Sequence, residues 1–172
     1  MSIKNKNIYQ AVVIALLSGL ILISCSKSKS SYEVSYSFDD NSSLLWQSRN
    51  AQATIINDTV LINGIRKDDN SKVAIIIANN EVGNYPISIN FQNGQLPSLN
   101  DLQTLVIINP DGSKDNKNNW ASIQGNVSIT ANDKNKKILT GTFHVNAVKI
   151  SNLLSTKGIT GNFNVKYSVY KR

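Results

Sequence analysis

The sequence predicts an all-β fold: an antiparallel β-sandwich, or a closed or partly open β-barrel, of about nine to ten strands. Three observations lead there. One short pattern occurs three times near the C-terminus, at residues 123–129 (IQGNVSI), 139–145 (LTGTFHV) and 159–165 (ITGNFNV). Each copy alternates large apolar with polar residues and carries Gly on the apolar side, the period-two signature of a strand with one buried face. Val, Ile and Thr outnumber the helix formers Ala, Glu and Met, which favours pleated sheet. Beyond the N-terminal apolar run, no stretch longer than about ten residues has helical periodicity.

Along the chain, Tyr32, Val34, Tyr36 and Phe38 share one face of a first strand, and residues 39–43 form a polar turn cluster. Leu44 and Leu45 lead into Trp46. Residues 51–56 and 60–65 read as two strands about a turn at Asn57-Asp58-Thr59, with the next loop at 67–71. Residues 73–78 and 105–108 are continuously apolar, as in strands covered on both faces. Residues 79–86, containing Gly83, read as a turn before a strand at 87–91. Between Gln92 and Leu102 the pattern is irregular, with room for one helical turn near 99–102. Residues 109–119 form the longest polar loop; the three repeats follow, with turns expected at 132–136 and 151–158.

At the N-terminus, Lys4 and Lys6 precede an apolar run of 13 residues, 11–23, short of the roughly 20 a permanent membrane helix needs. It ends in Leu22-Ile23-Ser24-Cys25, which resembles the lipobox of bacterial lipoprotein signal peptides. The alternative is a short anchoring helix with an incidental Cys at its end. By the resemblance, residues 1–24 are a cleaved signal peptide. Cys25 becomes the acylated first residue, 25–31 a lipidated tether and 32–172 a single β domain. Cys25 is the only Cys, so once acylated it leaves no thiol for disulfides, catalysis or metal binding. Cleavage lowers the net charge from +7 to +5. No basic run is interleaved with aromatics, which argues against nucleic acid as a partner.

The tether, rich in Ser and Lys, reaches about 23–25 Å when extended. A Ser directly after the lipidated Cys resembles outer-membrane sorting. Surface-exported lipoproteins of the Bacteroidota carry an acidic run at this place, and here Ser and Lys stand instead. The expected address is therefore the bacterial envelope, as an outer-membrane lipoprotein facing the periplasm.

Candidate chemistry is sparse. His144, the only His, shares the outward face of its strand with Thr142, and no local motif supplies it with triad partners. Asp39/Asp40 and Asp68/Asp69 are adjacent pairs in polar turns, where Asp is favoured for local hydrogen bonding. Glu33 and Glu81 are the only glutamates. The run 111–115 lacks the Gly and Glu of a calcium loop, having Asn116 and Ser122 there, and carries Lys114 and Lys117. No catalytic residue, metal site or cofactor is expected. Trp46 and Trp120 stand at loop edges, where Trp either caps a β core or offers a ligand platform. Asp58-Thr59-Val60 resembles the Asp-(Ser/Thr)-aliphatic signal for periplasmic O-glycosylation in Bacteroidota, which places a glycan on Thr59; a hairpin turn explains the same residues.

With the lipobox, Trp46, Gly83-Asn84-Tyr85-Pro86, residues 120–130, residues 139–143 and the closing 159–165, the chain resembles the small Bacteroidota lipoproteins with a single β domain of unknown function. The resemblance covers most of the mature chain and implies fold and address, with no catalytic residues to transfer. The expected function is a lipid-anchored, non-catalytic envelope module that binds an envelope protein or a glycan. The alternative is a small periplasmic glycan-acting hydrolase, resting on scattered carboxylates and the two Trp.

Overall fold

Period-two alternation becomes strand along most of its length. The described residues form ten strands: β1 (Glu33–Phe38), β2 (Asn41–Ser48), β3 (Gln52–Ile56), β4 (Thr59–Ile65), β5 (Lys72–Ile77), β6 (Gly83–Ser88), β7 (Leu105–Asn109), β8 (Trp120–Asp133), β9 (Ile138–Lys149) and β10 (Asn152–Tyr170). They belong to a computed structural model that describes residues 32–89 and 104–170. Cys25 with its expected signal peptide and tether, and the expected helical turn near 99–102, lie outside the described residues.

All ten strands form one sheet that closes on itself, in the order β10, β3, β4, β5, β7, β8, β9 and back to β10. It is ring-like without being a regular barrel, because its two longest strands change partners along their length. β10 pairs with β1 through residues 159–164 and with β3 through 166–170. β8 pairs with β7 at Trp120 and Ala121 and with β6 from Gln124 to Ile129. Every pairing is antiparallel except β10 with β3, which is parallel. β1 begins beside Asn164 and ends beside Ile159; the chain then returns through β2 and lays β3 along the remaining length of β10, parallel to it.

The core is inside the ring. Val34, Val60, Ile62, Ile75, Ile77, Ile108, Leu139, Val145, Ile159 and Val165 are fully buried there. The repeats explain how aromatic rings fit among them. In the register of β9 and β10, Gly161 lies opposite Phe143 and Gly141 opposite Phe163. A Cβ at either glycine would come within 3.0 Å of the facing Phe ring. Each glycine therefore makes room for a ring on the neighbouring strand, which covers the glycine backbone in return. Gly125 differs: its φ of +126° is open to glycine and strained for L side chains.

Four local expectations change. Residues 41–43, read as turn, begin β2, where Asn41 pairs with Phe38 of β1 ahead of a shift in register. Gly83-Asn84-Tyr85-Pro86, also read as turn, lies in β6, which among the described residues is an edge strand paired only with β8. Ile89 N–H donates to Ile123 O at 2.7 Å, and strand alternation then aims the nitrogen of Pro86 away from β8, where no donor is needed. Residues 152–158, expected as turn, are already β10, and the connection is the short turn at Ile150 and Ser151. β5 alternates rather than being covered on both faces: Val73, Ile75 and Ile77 are buried, Ala74 and Ile76 half-buried.

Candidate functional site

Both Trp residues serve the core. Trp46 is 5% exposed and Trp120 7%, so neither offers a face on which a ligand could stack, and the platform expectation is corrected on that ground. Trp46 stacks on Tyr36 with centroids 4.8 Å apart. Its indole Nε1–H donates to Ser71 Oγ at 2.6 Å. Ser71 Oγ in turn donates to Asp69 Oδ1 at 2.5 Å, and Asp69 also pairs with Arg66. Hydrogen bonds from Arg66 and Ser71 hold the Asp69 carboxyl well below the usual carboxylate range. Trp120 meets Phe38 edge-on at 5.9 Å, and Lys157 Nζ lies 4.9 Å from the Phe38 centroid while pairing with Asp40.

His144 is exposed on the outer face, as its strand phase predicts. The sheet brings it partners that no local motif supplies. Its Nδ1 lies 2.8 Å from Thr160 Oγ1, and Thr160 Oγ1 donates to Asp39 Oδ1 at 3.1 Å. The order is His–Thr–Asp, with the hydroxyl in the middle. A nucleophilic relay needs the imidazole between hydroxyl and carboxylate. Here Thr160 gives its single proton to Asp39, so Nδ1 is the donor toward Thr160. The trio is a cross-strand clasp between β9, β10 and the β1–β2 turn.

Concave chemistry lies instead at one rim of the ring. Four segments surround a cleft of about 690 Å³. The β3–β4 turn brings Asn57 and Asp58, the β5–β6 loop Asn80 and Glu81, the end of β8 and the turn after it Asn132 and Lys134, and the end of β10 Tyr167 and Tyr170. Asn57 and Asp58 both have positive φ, the two-residue hairpin geometry that Asn and Asp tolerate best. Tyr85 Oη donates to the Glu81 carbonyl at 2.5 Å and anchors the β5–β6 loop.

Hydrogen bonds tie these segments in series. Tyr167 Oη donates to Asn132 Oδ1 at 3.1 Å, and Asn132 Nδ2 to the Asn80 carbonyl at 2.7 Å. Asn80 Nδ2 donates to Asp58 Oδ1 at 3.2 Å. Lys134 Nζ pairs with Glu81 at 2.9 Å, a bond that raises the lysine's pKa. Thr59, the expected glycan acceptor, follows Asp58 directly and is half-buried at the start of β4. Asp39/Asp40 and Asp68/Asp69 lie in turns. Among the described residues no three metal-ligating side chains gather. The sequence does not show the cleft, because its members come from four distant segments; the turns expected at 57–59, 79–86 and 132–136 mark three of these places without showing that they meet.

A smaller cleft of about 440 Å³ opens where β10 passes from β1 to β3, with Tyr32, Arg49 and Lys166 in its wall.

A family model described as a domain of unknown function (DUF6252) matches residues 37–168. No curated protein and no solved structure matches the chain.

Proposed function

We propose, for a chain that belongs to the DUF6252 family, a lipid-anchored module of the bacterial envelope that binds a ligand or envelope partner at the rim cleft without catalysing a reaction. The observation that carries this reading is the cleft itself. The ring interior is filled by side chains, whereas the rim is concave, lined by polar groups together with Ile55, Val169 and two Tyr, and braced by hydrogen bonds across four segments. Binding sites are built in this way, with a few polar groups held in fixed orientation.

The address rests on the lipobox-like Leu22–Cys25 run and on its resemblance to small Bacteroidota lipoproteins, with the outer membrane and its periplasmic face as the proposed place. Arg49 and Lys166 beside Tyr32 support it, since basic side chains where a lipid tether joins the domain favour anionic headgroups. Cys25→Ala should abolish acylation and move the protein from the membrane to the soluble fraction; continued membrane retention overturns the lipid anchor. In the same reading Thr59 accepts an O-glycan, and intact masses of the wild type and Thr59→Ala test that. For binding, envelope extracts passed over the full-length protein should yield a partner or glycan that Tyr170→Ala fails to retain. Equal retention by both would remove the cleft from the proposal.

A second reading, a small glycan-acting hydrolase, has one observation in its favour: Asp58 and Glu81 line the same cleft. Both are engaged as hydrogen-bond acceptors, Glu81 by Lys134 and Asp58 by Asn80, whereas glycoside hydrolysis needs one carboxyl as proton donor. Release of reducing ends that disappears in Glu81→Gln would establish this reading over the first.

A further inference from the structure

The chemistry of the rim cleft narrows its ligand, on the premise that the cleft is the binding site proposed above. We infer that it takes a neutral oligosaccharide, held by Asp58, Asn80 and Asn132 through its hydroxyls and by the Tyr170 ring through its C–H face.

Three features converge. The first is the donor and acceptor set. Amides and carboxylates together offer paired acceptors and paired N–H donors, the arrangement that matches adjacent hydroxyls on a sugar ring, each of which both donates and accepts. The bond from Asn80 uses one of about four lone-pair positions on Asp58, so the carboxylate has capacity for a ligand without losing its brace.

The second is the aromatic ring. Tyr170 is 60% exposed, at the end of the strand whose Tyr167 is buried and hydrogen-bonded to Asn132. One tyrosine fixes the wall and the other presents a face. An exposed ring with a polar tip, beside half-exposed Val169, suits a ligand that is apolar on its C–H face and polar at its edge. A purely apolar ligand would strand the carboxylates and amides without partners.

The third is charge. The lining carries two carboxylates, Asp58 and Glu81, against one ammonium, Lys134, which Glu81 already occupies. An anionic ligand would meet net repulsion in this cleft, in a chain whose overall charge is positive. The local field therefore selects against phosphates, uronic acids and nucleic acid.

The test uses the full-length protein in a detergent with a non-sugar headgroup, titrated calorimetrically with chitotetraose, cellotetraose and mannotetraose, and with tetragalacturonate as the anionic control. At least one neutral tetrasaccharide should bind. Tyr170→Ala, which removes an exposed ring and leaves the core intact, should weaken that binding at least about fivefold. Asp58→Asn keeps a residue that tolerates the hairpin's positive φ and should weaken it by a similar factor. Tetragalacturonate should bind at least fivefold more weakly than the preferred neutral sugar. Tighter binding of tetragalacturonate, or neutral binding unchanged in both variants, overturns the inference. If no neutral sugar binds while Tyr170→Ala still loses a partner from envelope extracts, the saccharide assignment falls and the binding module stands. If neither assay responds to the variants, both fall.

Discussion

Ser71 holds a polar junction inside an otherwise apolar wall. It is fully buried, accepts the Trp46 indole proton and donates to Asp69. Ser71→Ala should leave the indole N–H unsatisfied and cost about 1–3 kcal/mol of unfolding free energy, read as a lower denaturant midpoint. Asp69 makes the same junction pH-dependent. Its carboxyl is depressed in the folded state by Arg66 and Ser71, so its contribution is present above the unfolded value of about 3.9 and fades as pH falls below it. Its side chain is 36% exposed, and solvent screening keeps the effect small. Stability measured in urea from pH 6 down to pH 2.5 should fall less steeply in Asp69→Asn than in the wild type. Identical slopes would remove Asp69 from the acid response.

Among the elements, β9 and β10 are where sequence and packing meet most directly. The repeat places Gly and Phe two residues apart on each strand, and the antiparallel register sets each glycine against the other strand's ring. Gly141→Val should therefore destabilise by about 1–3 kcal/mol or more, because its Cβ would fall on the Phe163 ring and the Ser128 carbonyl. The cause separates into two parts. In Gly141→Ala combined with Phe163→Leu, the smaller ring position should return part of the loss, a coupling of about 0.5–3 kcal/mol in a double-mutant cycle. Strict additivity would mean that the Ser128 carbonyl alone sets the limit. β6 shows the converse at an edge: Pro86 breaks no hydrogen bond there and leaves the outer edge poorer in donors, which discourages pairing with another chain.

Across the whole molecule, closure depends on contacts far apart in sequence. β3 at residues 52–56 pairs with the last strand at 166–170, and β1 at 33–38 with 159–164. Such long loops must close before their contacts stabilise anything, so folding should be slow for the size of the domain, in milliseconds to seconds. Trp46 and Trp120 are both buried, so stopped-flow fluorescence on dilution from urea reads this directly. Refolding complete within microseconds would contradict a rate set by ring closure.

Local alternation of side chains determined most of what is known of this chain: the all-β class, the approximate strand number, the inward phase of Gly141 and Gly161, and the outward His144. Period two is imposed on each strand by its own backbone, so it can be read without knowing the partner. Where a strand is recognised by pairing rather than by apolar content, as in residues 41–43, Gly83–Pro86 and 152–158, composition pointed to turns, because polar and Gly-rich strands differ from loops only in their backbone partners. The closed ring, the parallel β10–β3 pair, the His144–Thr160–Asp39 clasp and the rim cleft belong to tertiary structure alone. Each joins residues from segments far apart in the chain, and the register that brings them together is set by the packing of the whole core, which no single stretch of sequence encodes.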